Sequence, residues 1–193
     1  MRILIAGVGY SNLSDMSLGP LLIELLTQRA WPEGVEIDDL SYGPVFICHS
    51  LGERPAYDRI VLIGAVSREE APGTIRRFRW AHELPSTDEI QARVVEAATG
   101  VTSLENLLVV STYFKRLPAD VVVLEIEPFV DTFGATLSDD LNALLPAFIE
   151  ELRRVWSSPD PLPLLETYRF IIANPADRPT GWIIREADWG ASN

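Results

Sequence analysis

Gly7 and Gly9, which follow the apolar run Ile3-Leu4-Ile5-Ala6, and four carboxylates at predicted strand ends are the chain's candidates for chemistry. The two glycines permit a tight turn and close backbone approach. They do not complete a dinucleotide fingerprint, because Asn12 stands where the third glycine belongs. No Gly-Lys-Ser/Thr follows them, which excludes a phosphate-cradling loop. No serine lies in a Gly-x-Ser-x-Gly elbow. The two histidines, His49 and His82, show no metal-ligand spacing, and both read as packed or solvated. Cys48 is the sole cysteine, so intramolecular disulfides and Cys-x-x-Cys zinc clusters are excluded. The strand-end acids are Asp15, Asp38, Asp39 and Glu125. Asp15 precedes the first helix, whose N-terminus favours a carboxylate, and reads as a cap ahead of a catalytic group. Asp38 and Asp39 are adjacent on one strand and point opposite ways, so at most one faces a cleft. Their first reading is as solvated loop acids, with an acid/base pair the alternative.

These residues need a scaffold, and the chain alternates strands with helices. Short apolar strands are predicted over 3–6, 35–40, 60–63 and 121–126, the last a continuous β-branched run of the type buried on both faces. Helices are predicted over 18–30, 45–51, 87–98, 103–115 and 139–156. Capping-box spacing supports the third and fourth of these (Ser86 with Glu89, Thr102 with Glu105), and Ser138 supports the fifth. Residues 75–80 alternate aromatics with arginines and read as an exposed or edge strand. The pattern predicts a three-layer α/β domain: a doubly wound, mostly parallel twisted sheet with helices on both faces. In such sheets ligands sit at the strand C-termini, which singles out residues 7–19. From residue 157 the composition shifts to prolines, and 168–172 with 182–184 are expected to form a hairpin or an arm against a neighbouring protomer. The organisation predicted is therefore a domain over 1–156 and an extension over 157–193.

A formal net charge of −12 argues against nucleic acid, whose phosphates require Lys/Arg compensation. The one dense basic run, Arg76-Arg77-Phe78-Arg79, reads as a solvated strand. No apolar run is long enough to span a bilayer, so a membrane partner is not expected and the expected location is cytoplasmic.

In motif order, residues 1–156 resemble the hydrogenase maturation endopeptidases, which trim the C-terminus of the large subunit of nickel-iron hydrogenases. Gly7, Gly9, Asp15 and Gly19 are similar to that family's opening loop, and Asp38 with Gly43 to its motif after the second strand. Ala71-Pro72-Gly73-Thr74-Ile75 resembles its Pro-Gly-Thr turn. Ile126, Pro128, Gly134, Leu137 and Ser138 resemble its late strand, proline loop and entry to the last helix. The resemblance implies a hydrolase-like α/β fold, a pocket around Gly9, Tyr10, Asp15, Met16, Asp38, Gly64 and Thr102, and nickel as the ion the family recognises. It also exposes a departure. The three positions at which the family's ligands are expected carry Met16, Gly64 and Thr102, and Tyr10 replaces the loop asparagine. Thioether, hydrogen and hydroxyl are poor substitutes for carboxylate and imidazole, so no metal or other cofactor is expected.

Three readings follow. The first is a non-catalytic relative that binds a protein partner, a hydrogenase large subunit or similar metalloenzyme component. Phe129, Phe133, Tyr113 and Phe114 would then rim a groove, although core packing is the first reading for most of them. The second is an active endopeptidase that trims the C-terminus of such a large subunit, its metal site rearranged around Asp15 with Asp38 or Asp39. The third is an assembly protein that forms a homo-oligomer through the C-terminal extension.

Overall fold

The structure, a computed structural model, describes residues 1–98, 103–158, 165–168 and 170. Along the chain run β1 (Ile3–Gly7), α1 (Leu18–Thr27), β2 (Val35–Asp39), α2 (Pro44–Glu53), β3 (Arg59–Ala65), β4 (Ile75–Arg79) and α3 (Thr87–Ala98). After these come α4 (Leu104–Tyr113), β5 (Asp120–Ile126), α5 (Asp139–Ser157) and the two-residue β6 (Glu166–Thr167). The strands form one sheet in the order β2-β1-β3-β5-β4-β6. β2, β1, β3 and β5 are mutually parallel, β4 is antiparallel to β5, and β6 runs parallel to β4.

Alternation along each strand divides the core in two, because successive side chains leave opposite faces. Leu4, Ala6, Ile60, Leu62, Val121 and Val123 face α2 and α4, meeting Ile47, Leu107 and Leu108. Ile3, Ile5, Val61, Ile63, Val122 and Leu124 face α1 and α5, meeting Leu22, Leu26, Phe148 and Leu152. Strands apolar on both sides can only be central, which is why the β-branched runs occupy the middle of the sheet. α3 lies further out, where Ala97 packs with Cys48 and Val110.

The α/β class and helices on both faces agree with the sequence, and several local expectations are corrected. α1 ends at Thr27 rather than 30, and Trp31 instead donates its indole N–H to the Leu26 carbonyl at 2.8 Å. β4 is not an edge strand, since β6 pairs outside it through Phe78 and Arg79. Phe78 and Trp80 are buried because they pack in the α4-side core against Leu107, Leu108 and the ring of Tyr168. α4 is capped by Ser103, whose Oγ accepts from the Asn106 N–H at 3.1 Å. Thr102 lies outside the described residues, as do 182–184 and most of 168–172. The extension through which a homo-oligomer was expected is likewise largely outside them. Among the described residues, no helix is long and apolar enough to cross a membrane.

Candidate functional site

The C-terminal ends of β1 and β3 meet the start of α1 at backbone contact distance. A Cβ on Gly19 would lie 2.4 Å from the Val8 carbonyl oxygen, and one on Gly64 would lie 2.6 Å from that same oxygen. Such separations exclude any side chain. Both glycines are thus required by the crossing of three chain segments, and no phosphate need be invoked for them.

Asp15 sits inside this crossing, fully buried in the short turn Ser14–Ser17. Its carboxylate accepts from the backbone N–H of Phe129 and Val130, both at 2.9 Å, and of Ser138 at 2.7 Å. The Ser138 hydroxyl donates to it as well, at 2.9 Å, while accepting from the Leu141 N–H to cap α5. The cap expected of Asp15 on the first helix is not formed: its carboxylate fastens the β5–α5 loop instead, and Ser138 is the residue that caps α5. Further backbone bonds, Ser14 N–H to Gly134 O at 2.9 Å and Gly134 N–H to Asn12 O at 3.0 Å, hold the two loops together.

The remaining sequence candidates fall elsewhere. Asp38 pairs with Arg54 at 2.6 Å and also accepts from the Asp39 N–H. Asp39 accepts from the Ser41 N–H at 2.9 Å. Asp38 thus serves an ion pair and Asp39 a turn. His49 is exposed and pairs with Glu53 along α2, and half-buried His82 approaches the Ala119 carbonyl. Cys48 is buried beside the Ser111 hydroxyl, and burial holds its thiol pKa above the ordinary value. The aromatics assigned first to the core are a correction. Phe129, Tyr113 and Phe114 are exposed, and Phe133 is 86% exposed, because the Asp15-fastened loop and the end of α4 present them outward.

What the sequence missed is a buried ionic cluster on the α4 side of the strand tips. Glu125 is Gly64's neighbour across the β3–β5 ladder and lies almost wholly out of solvent. Arg68 grips it with Nε and Nη2, and donates its backbone N–H to Glu127 at 2.8 Å. The same guanidinium lies over the rings of Phe78 and Tyr168, at 5.0 and 4.8 Å from their centroids. Beside it, Arg93 donates to Glu105 at 3.0 Å and reaches Glu96 at 3.2 Å. Burial raises the Glu125 pKa, an increase that Arg68 opposes and that Glu105 and Glu127 reinforce. Burial also raises the pKa of the Tyr10 phenol, with Glu96 adding to it. The clue was available in Glu125-Ile126-Glu127, two acids at the end of the most apolar strand, where a buried charge demands a partner.

The donor set does not fit nickel. Met16 offers a thioether packed with the α1/α5 cluster. Gly64 offers none, and the Cβ it lacks would run into the Val8 carbonyl. Among the described residues, no three His, Cys, Asp or Glu side chains are grouped to hold a metal ion. Gly64→Asp is accordingly expected to lower stability by about 1–3 kcal/mol through overpacking without creating nickel affinity, as read by urea titration and calorimetry.

The fold defined by these features is a doubly wound, three-layer α/β domain with glycine-crossed strand tips. Solved structures of the same fold include the hydrogenase maturation protease HycI from Thermococcus kodakarensis, with a TM-score of 0.59 and 18% identity over 81% of this chain and 93% of that one. Others are the hydrogenase 2 maturation peptidase of a Thaumarchaeota archaeon (0.57, 20%, covering 81% and 99%) and an Escherichia coli endopeptidase (0.57, 25%, covering 79% and 90%). In sequence, the hydrogenase 2 maturation protease of Escherichia coli K12 is 38% identical over 81 residues, 41% of this chain. That match spans about half of the curated relative, 48% of its length. No family model matches the chain. In part of its sequence and in its fold, the chain is similar to the hydrogenase maturation proteases.

Proposed function

We propose that this protein is a non-catalytic member of that group which binds a hydrogenase large subunit or a similar metalloenzyme component. The observation that carries this reading is Gly64: where the family resemblance calls for a metal-binding carboxylate, the backbone crossing leaves no room for a side chain. The acids that a rearranged site would recruit are already engaged. Asp15 accepts four hydrogen bonds and Asp38 is paired with Arg54. The binding surface survives this loss. Phe129, Val130 and Phe133 are exposed on a loop fixed at both ends, the type of rigid apolar projection that anchors protein interfaces.

Calorimetric titration of the protein with nickel tests the reading, and the expected result is no heat of specific binding. Tight 1:1 uptake would restore the endopeptidase assignment. A companion measurement is capture of a purified hydrogenase large subunit by the immobilised protein, which Phe133→Asp is expected to weaken at least tenfold.

A further inference from the structure

We infer that Arg68 is the resident cation of this cleft: its guanidinium supplies, from within the chain, the positive charge that a divalent ion would bring to carboxylates at the strand tips. Three features converge on it. Glu125 is the sheet partner of Gly64, so the gripped carboxylate lies directly beside the vacated ligand position and on the same face. Its side chain is 2% exposed and that of Arg68 13%, so the pair is shielded from water and from bulk ions. The guanidinium also lies against the rings of Phe78 on β4 and Tyr168 just past β6, contacts a hydrated metal ion does not make.

The chemistry follows from shape as well as charge. A planar fork satisfies both oxygens of one carboxylate with two parallel N–H bonds, and its weak hydration lets it stay buried. Glu127 accepts from the Arg68 backbone N–H, which ties the loop after β3 to the end of β5. Glu105 is committed in the same way to Arg93. Glu125 and Glu105, the buried acids on this side of the strand tips that carry a guanidinium partner, are thus neutralised by Arg68 and Arg93. This claim is separate from the binding reading, since it concerns the chain alone and stands or falls whether or not a partner is captured.

A double-mutant cycle tests it on the full chain, with Arg68→Met, Arg68→Lys, Glu125→Gln and the Arg68→Met/Glu125→Gln pair compared by thermal melting. Arg68→Met strands a buried carboxylate and is expected to lower the melting temperature by at least about 6 °C. Adding Glu125→Gln should return at least half of that loss, because a neutral pair has no uncompensated charge. Lysine should fall between methionine and wild type, since it keeps the charge without the fork. Wild-type melting should not move with millimolar nickel or manganese. If Arg68→Met does not accumulate as folded protein, the cycle is read from the double variant, which should melt no lower than Glu125→Gln alone. The inference is overturned if Arg68→Met melts within about 2 °C of wild type, if the double variant is no more stable than Arg68→Met, or if stoichiometric nickel or manganese raises wild-type melting.

Discussion

Asp15→Ala is expected to lower the melting temperature by about 10 °C, more than any other single change at the strand tips. The substitution removes one carboxylate but leaves three backbone N–H groups and a hydroxyl without their acceptor, in a position closed to water. Hydrogen bonds to a charged group contribute about 1.5–3 kcal/mol each and are not additive when they share an acceptor, so a total of about 4 kcal/mol is reasonable. Asp15→Asn should recover little of this. One amide oxygen replaces two carboxylate oxygens, and the amide NH2 would then face N–H donors. Hydrogen exchange localises the effect: the amides of Phe129, Val130 and Ser138 should lose protection while β1 and β3 keep theirs. The result separates two roles. A residue retained for metal chemistry would leave the melting temperature nearly unchanged, and that outcome would refute the fastening role.

The second large effect is expected at the opposite end of the sheet. Arg59 opens β3 and is 1% exposed, the largest completely buried side chain among the described residues. Its Nε and Nη2 bond the Asp120 carboxylate at 2.7 Å, and Nη1 donates to the carbonyls of Val155, Trp156 and Ser158. Those carbonyls end α5 and have no partner within the helix, so the guanidinium acts as its C-terminal cap and offsets its dipole. Arg59→Met should destabilise by about 3–5 kcal/mol, because Asp120 loses its cation and the helix end its donors. Arg59→Lys should recover only part, since one ammonium cannot serve the carboxylate and three carbonyls together. Urea unfolding measures the loss. Equal stability of Arg59→Met and wild type would show that the buried charge contributes no net stabilisation.

Much of this architecture is readable before any coordinates are in hand. The apolar runs of β1, β3 and β5 have one consistent explanation, burial on both faces. The spacing of Leu141, Phe148, Leu152 and Val155 places α5 on the sheet without ambiguity. The glycine positions are legible as close approaches, but their partners are not: nothing local indicates that Gly19 and Gly64 crowd the same Val8 carbonyl. Asp15 illustrates the limit most sharply. Its neighbours along the chain predict a cap for α1, whereas its four donors come from residues more than a hundred positions away. Arg68 and Arg59 were invisible for the same reason. A lone arginine in a loop or at a strand start reads as solvated, and only the tertiary fold brings Glu125 or Asp120 to it. The outward aromatics failed in the other direction, since a hydrophobic residue on a loop gives no sign of whether the loop folds over it.

The exposed Phe133 has a kinetic corollary. Its loop is pinned to the turn at residues 12–15 by backbone bonds on both sides, so its conformational entropy is surrendered when the chain folds and not at encounter. Association through such a projection requires no disorder-to-order step. Rates of complex formation should then be governed by the field of a chain carrying a net charge of −12, speeding up as ionic strength falls for a basic partner surface. Variation in the apolar contact itself would register in how long the complex lasts.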